Sequence, residues 1–166
     1  YASAFGGIQF MEFRPNGYVK HLPINLSQET IIDLEENLML FFTGYTRDTN
    51  DVVGATMDKE FLDKSKRITS QMIEVLMRGE VCRWADLMTH YWREKQKVAS
   101  NPRINECFNR ALVSGAHGGK LIGAGGGGFL MFYAEDKRRL RKAMAACGLP
   151  ELRFRFDWEG TKVILS

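Results

Sequence analysis

The sequence predicts an α+β domain with its helices gathered between strands. Three observations carry this. Short apolar or alternating runs lie toward both ends of the 166 residues. Apolar spacing of three and four fills the middle. Gly, Pro and Asn stand where the two patterns change over. The length suits one domain with a sizeable core, so the whole chain, 1–166, is read as a single unit.

The elements follow in order. "GIQFMEFRPNGYVKHLPI" reads as a hairpin, with Ile8, Phe10 and Glu12 on one side and Gln9, Met11 and Phe13 on the other. Pro15-Asn16-Gly17 supplies its turn, because Asn and Gly accept positive φ. "SQETIIDLEEN" opens with a Ser–Glu pair and predicts a short helix. "LMLFFTG" is a short apolar run closed by Gly44, which predicts a buried strand. Phe61, Leu62, Ser65, Ile68, Met72, Val75 and Leu76 mark an amphipathic helix ending near Gly79. Trp84, Leu87, Met88, Tyr91 and Trp92 mark a second, broken at Asn101-Pro102. Pro102 suits the first turn of a third helix, whose inner face is Ile104, Phe108, Ala111 and Leu112 and whose end is Gly115. "KLIG" and "FLMFY" are short strands, and "EDKRRLRKAMAACG" is a last helix with its acids at the N-terminal end. "LRFRFDWEGTKVIL" reads as a second hairpin turning near Glu159-Gly160, with Leu152, Phe154 and Phe156 alternating against Arg153 and Arg155. The predicted order is β-β-(α)-β-α-α-α-β-β-α-β-β.

Composition sets broad limits. Hydrophobic residues make up 45%, charged residues 26%, and the net charge is +3, which is ordinary for a globular protein. Cys82, Cys107 and Cys147 are odd in number and widely spaced, so free thiols in a reducing, cytoplasmic setting are expected rather than a disulfide frame or a zinc site. No membrane span or secretory signal is read, and no membrane partner is expected. Tyr1 is not an initiator Met, so the chain is expected to be part of something longer.

"GGKLIGAGGGGFLMFY" holds seven glycines in sixteen residues. Each costs about 0.5–1 kcal/mol against Ala in regular structure. Gly123, Gly125 and Gly128 satisfy G-x-G-x-x-G, but the residues after it are strand-like. A dinucleotide fingerprint needs a helix there, and a phosphate-binding P-loop needs a following Lys-Ser or Lys-Thr pair. Two readings remain: a close-packed connection between strands, or a bare backbone closing against a phosphate-bearing ligand or its loop. Four successive glycines exceed what a hairpin needs.

"NPRINECFNRALVSGAHGGKLIGAGGGGFLMF" resembles the third signature motif of the GHMP kinases and the helix leading into it. "RWADLMTHYW" is similar to the helix upstream. "YASAFGGIQFMEF" and "LMLFFTGYTR" resemble the branch that phosphorylates D-glycero-D-manno-heptose 7-phosphate, with fucokinases and galactokinase-like enzymes as alternatives. The resemblance implies the C-terminal, ferredoxin-like domain of a two-domain sugar kinase that uses ATP and Mg²⁺. The ATP-phosphate loop would belong to an absent N-terminal domain. The acid–base Asp would lie just upstream of Tyr1, leaving no catalytic residue in this chain and no turnover by it alone.

Two stretches then become site candidates. Gly125, Gly126, Gly127 and Gly128 are expected on the nucleotide side, beside the phosphate loop. Thr43, Gly44, Thr46 and Arg47 are expected on the sugar side, at the end of a strand. Arg47 offers a planar fork that fits a phosphate or paired hydroxyls, although pairing with Asp48 or Asp51 is an equal reading. Lys120 could add charge near the phosphates or be an exposed structural Lys. Tyr1 and Ser3 could face the sugar, while Gly6 and Gly7 serve the entry to the first strand.

His21, His90 and His117 show no metal spacing, and no metal ligand is assigned. Trp84, Tyr91 and Trp92 read as core or groove aromatics. The run Lys137, Arg138, Arg139, Arg141, Lys142 reads as a solvated helix face rather than a nucleic-acid site, since no basic-aromatic pattern accompanies it. A free-standing binding module on the same fold is the non-enzymatic alternative.

Overall fold

A computed structural model describes residues 1–45, 59–99, 102–123, 127–162 and 164. In chain order the elements are α1 (Ala2–Phe5), β1 (Gln9–Phe13), β2 (Val19–Pro23), α2 (Gln28–Asn37), β3 (Leu38–Phe42), α3 (Lys59–Met77), α4 (Val81–Ala99), α5 (Pro102–Val113), β4 (Gly118–Ile122), β5 (Phe129–Tyr133), α6 (Lys137–Ala146) and β6 (Glu151–Leu152). β1 and β2 form a separate hairpin, in register from Gln9↔Pro23 to Phe13↔Val19. Gly17 takes φ 80° at its turn. Ser27 caps α2 by accepting from the Thr30 N–H at 3.2 Å.

The main sheet has four antiparallel strands in the order β4-β5-β3-β6. Read from β3, the chain runs strand, helices, two strands, helix, strand. The third of these four strands sits beside the first. This is the ferredoxin-like order, as expected.

Both faces of the sheet are covered, which explains why β3 and β5 read as unbroken apolar runs. On one face Met39, Phe41, Leu130 and Phe132 pack with Trp92, Ile104, Phe108, Leu140 and Met144. On the other, Leu38 and Tyr133 pack with Leu34, Val81, Ala85 and Met88. Successive residues of each strand serve opposite cores, as the pleat requires.

The edge strand β4 is closed by α4. Gly118 lets the helix backbone approach: a Cβ there would lie 2.0 Å from the Ala85 carbonyl oxygen. The Gly119 N–H, at the open edge, donates to Thr89 Oγ1 at 3.0 Å. Two glycines of the rich stretch are therefore spent on helix packing and edge capping, not on a ligand.

The second hairpin does not form among the described residues. Only Glu151–Leu152 pairs, with Leu40 and Phe41 of β3. The chain then leaves the sheet, and Phe154 and Phe156 insert beside the second core. Leu152, expected inward, is 49% exposed. Burial of the two rings wins over pairing of their backbone. The tail instead meets the start of the chain. The Gly7 N–H donates to the Asp157 carbonyl at 2.6 Å, and the Thr161 N–H to that of Ala4 at 3.2 Å. Gly6 and Gly160 lie so close that a Cβ on either would fall 2.5 Å from backbone atoms opposite. The short α1 before this crossing carries no periodicity that a sequence reading could use.

Among the described residues no helix is long and apolar enough to cross a membrane.

Candidate functional site

β3 runs antiparallel to β5, so the exit of β3 lies beside the end of the glycine turn that joins β4 to β5. There the two stretches are stitched together. The Thr43 N–H and the Thr43 hydroxyl both donate to the Gly128 carbonyl, each at 2.9 Å. The Gly128 N–H donates to the Tyr45 carbonyl at 2.8 Å. Gly128 takes φ 102°, and a Cβ on Gly127 would stand 2.3 Å from the Tyr45 oxygen. A side chain at Gly127 would force these segments apart.

Four of the residues singled out in the sequence, Thr43, Gly44, Gly127 and Gly128, thus meet at one corner. Thr43 is 4% exposed and its hydroxyl is engaged by Gly128. Gly44 is exposed at φ 76° with open space around it. Thr46, Arg47, Gly125 and Gly126 lie outside the described residues.

The other end of the turn holds a cation that sequence reading passed over. Lys95 of α4 is 7% exposed, and its ammonium donates to the Gly123 carbonyl at 2.8 Å. Burial lowers its pKa below the usual lysine value. Lys120 stands over the Tyr91 ring at 4.7 Å, its pKa lowered by burial and then by the charge of Lys95. Among the described residues no carboxylate pairs with either. Two desolvated cations with no acid partner among the described residues favour an incoming anion. One signal was legible: Lys95 follows Ala85, Met88 and Trp92 on the buried stripe of its helix, where a charge is out of place.

The remaining candidates have structural partners. Tyr1 meets Phe13 edge-on at 5.9 Å, and the Ser3 carbonyl accepts from the Thr161 hydroxyl at 3.2 Å. His21 stacks on Phe5 at 3.8 Å. Trp92 is fully buried, and Trp84 packs against the second core. Three members of the cationic run on α6 do more than meet water. Lys137 donates to the Glu36 carbonyl, Arg139 to that of Val113, and Arg141 to both oxygens of Glu151.

The described residues on one side of this corner suit an ATP phosphate chain: Lys95 and Lys120 bring positive charge, Gly127 brings no side chain, and no described carboxylate pairs with either lysine. A magnesium ion on those phosphates takes carboxylate or water oxygens. Among the described residues, the turn offers positive charge and shape and no carboxylate.

Residues 72–148 match a family model described as GHMP kinases C terminal. The D-glycero-alpha-D-manno-heptose 7-phosphate kinase of Campylobacter jejuni is 30% identical over 98% of this chain and 51% of its own length. A crystal structure of a D-glycero-D-manno-heptose 1-phosphate kinase from Bacteroides thetaiotaomicron is 27% identical, with a TM-score of 0.66 over 99% of this chain and 48% of that one. Leishmania major mevalonate kinase, solved with R-mevalonate, shares the fold at a TM-score of 0.73 and 22% identity, over 96% of this chain and 51% of that one. The chain spans about half the length of the heptose kinase it matches.

Proposed function

We propose that this chain, which carries the C-terminal domain of the GHMP kinases, serves ATP-dependent phosphoryl transfer to a sugar phosphate, with D-glycero-D-manno-heptose 7-phosphate as the acceptor. The observation that carries the reading is the corner where Thr43 holds Gly128 beside Lys95 and Lys120, which pair with no acid among the described residues. Phosphoryl transfer asks a protein for position and for neutralised charge, and a bare backbone turn with two desolvated lysines supplies both.

The roles divide by side of the turn. Gly125–Gly128 leave room for a neighbouring phosphate-binding loop and hold its shape. Lys95 and Lys120 offset phosphate charge from below. Gly44, Thr46 and Arg47, continuing from the clamped Thr43, serve the sugar side, where the Arg47 fork would grip the acceptor's phosphate or hydroxyls. Mg²⁺ bound with the nucleotide would neutralise further phosphate charge.

The reaction belongs to a longer kinase, because the chain spans only 51% of the heptose kinase it resembles. The surface around the β1–β2 hairpin suits a covering partner: Tyr1, Phe5, Phe13, Tyr18 and Leu22 are all large, apolar and at least 43% exposed. An N-terminal half of the same kinase is the occupant we propose, and residues 1–166 alone have no turnover.

The test is a coupled kinase assay on the intact protein with ATP, Mg²⁺ and a panel holding heptose 7-phosphate, fucose and galactose. Turnover fastest on the heptose phosphate is expected. Fastest turnover on fucose would move the acceptor to the fucokinase alternative. No turnover on any sugar, together with salt-sensitive nucleic-acid binding, would overturn the kinase reading.

A further inference from the structure

Three side chains from three elements converge at the end of the β4–β5 hairpin opposite the glycine turn. Cys82 lies in the first turn of α4, His117 precedes β4 and Glu135 follows β5. Strand pairing holds the last two together: the His117 N–H donates to the Tyr133 carbonyl at 2.9 Å. One ligand-capable atom from each of Cys82, His117 and Glu135 lies within 4.8 Å of the other two. His117 Nε2 stands 3.8 Å from Glu135 Oε2.

We propose that Cys82, His117 and Glu135 bind one zinc-class divalent cation, with water completing a tetrahedral shell. The donor set of thiolate, imidazole and carboxylate is a zinc set rather than a magnesium set. Bond lengths of about 2.0–2.3 Å place tetrahedral ligand atoms about 3.3–3.6 Å apart. Side-chain rotations would have to close the observed cluster to that spacing, a shift of about 1 Å for the widest pair. All three side chains are exposed, so the cation has a path in.

The surroundings favour a cation as well. The carboxylates of Glu135, Asp33 and Asp86 act on the Cys82 sulfur and make a local negative field. The same negative field attracts a divalent ion. Binding replaces the S–H proton by a metal–sulfur bond and releases that proton to solvent. The site is separate from the glycine turn, because the five-residue strands of the hairpin hold the two ends roughly 17 Å apart. The ion would tie the start of α4 to the hairpin, and its effect is on stability rather than on the phosphates.

The test uses Co²⁺ as a spectroscopic stand-in, titrated into the intact, reduced protein near neutral pH. One equivalent should give a near-ultraviolet thiolate-to-cobalt charge-transfer band and tetrahedral visible bands, both displaced by Zn²⁺. Cys82→Ser should abolish the charge-transfer band. His117→Ala and Glu135→Gln should each weaken binding about tenfold or more. Zn²⁺ should raise the unfolding temperature of the parent protein but not of Cys82→Ser. The exposed position of Cys82 lets metal-free Cys82→Ser unfold like the parent, which separates lost binding from lost folding. Absence of the band in the parent overturns the proposal. So does a band that survives in Cys82→Ser, which would assign the thiolate to buried Cys107 or Cys147.

Discussion

Thr43 holds Gly128 by two donors at once, its N–H and its hydroxyl, each 2.9 Å from the same carbonyl oxygen. The residues are 85 positions apart, and this contact places the end of the glycine turn against the end of β3. Thr43→Val keeps the shape and the N–H but deletes the hydroxyl. It should cost about 0.5–1.5 kcal/mol in urea unfolding and raise the KM for ATP in the intact kinase. Thr43→Ser should restore both. An ATP KM that ignores Val at this position would detach the clamp from the nucleotide.

The glycines should sort by the reason each is bare. Gly118→Ala drives a Cβ to 2.0 Å from the Ala85 oxygen, so a loss of about 3 kcal/mol is expected as α4 is pushed off the sheet edge. Gly123→Ala meets open space but a φ of 103°, and strain of about 1–2 kcal/mol is expected. Chemical denaturation of the two variants side by side checks the order.

Lys95 should trade stability for ligand affinity. Its lowered pKa means that the folded state resists the charged form, which the unfolded chain keeps up to 10.5. The penalty is fully present below the folded pKa and is relieved as pH rises through it toward 10.5. Lys95→Met removes the penalty, so the variant should be as stable as the parent at neutral pH, or more so. The parent should gain on it only in alkali. The ATP KM of the variant should rise. Thermal unfolding against pH, paired with steady-state kinetics, reads both; a destabilised variant with unchanged ATP KM would make Lys95 a purely structural strut.

The Arg141–Glu151 pair should make part of the acid stability. Arg141 holds the Glu151 carboxyl below its ordinary value of 4.5, at contacts of 2.6 and 2.9 Å that tie α6 to β6. A depressed carboxylate contributes stability above its unfolded pKa and loses it as pH falls through the folded one. Glu151→Gln should therefore cost about 0.5–1 kcal/mol at neutral pH, with the difference fading below 4.5. A gap that persists in acid would point to packing instead of charge.

Arg47→Ala in the intact kinase should raise the KM for the sugar phosphate and leave that for ATP unchanged. An unmoved sugar KM would return Arg47 to a surface ion pair.

Much of the fold was legible because its strands and helices are written in local periods. Three-four spacing from Phe61 to Leu76 marked α3, and the unbroken run from Leu38 to Phe42 marked a doubly covered strand. Gly79 and Gly115, at φ 73° and 98°, mark the chain reversals after α3 and α5. The same logic misled at the C-terminus. Phe154 and Phe156 alternate with arginines as a strand would, yet their rings found a core and their backbone found no partner strand among the described residues.

What the chain order determined by itself was the type and sequence of its elements and the presence of a glycine-rich turn between two strands. Backbone sterics and the burial of side chains three, four or two positions apart are short-range and can be read from neighbours. Tertiary packing alone decided which distant groups would meet. It set Thr43 on Gly128, buried Lys95 beneath Gly123, and drew Cys82, His117 and Glu135 into one cluster although no spacing in the sequence links them. Such meetings depend on how the helices and strands lie against one another, which only the whole folded chain settles.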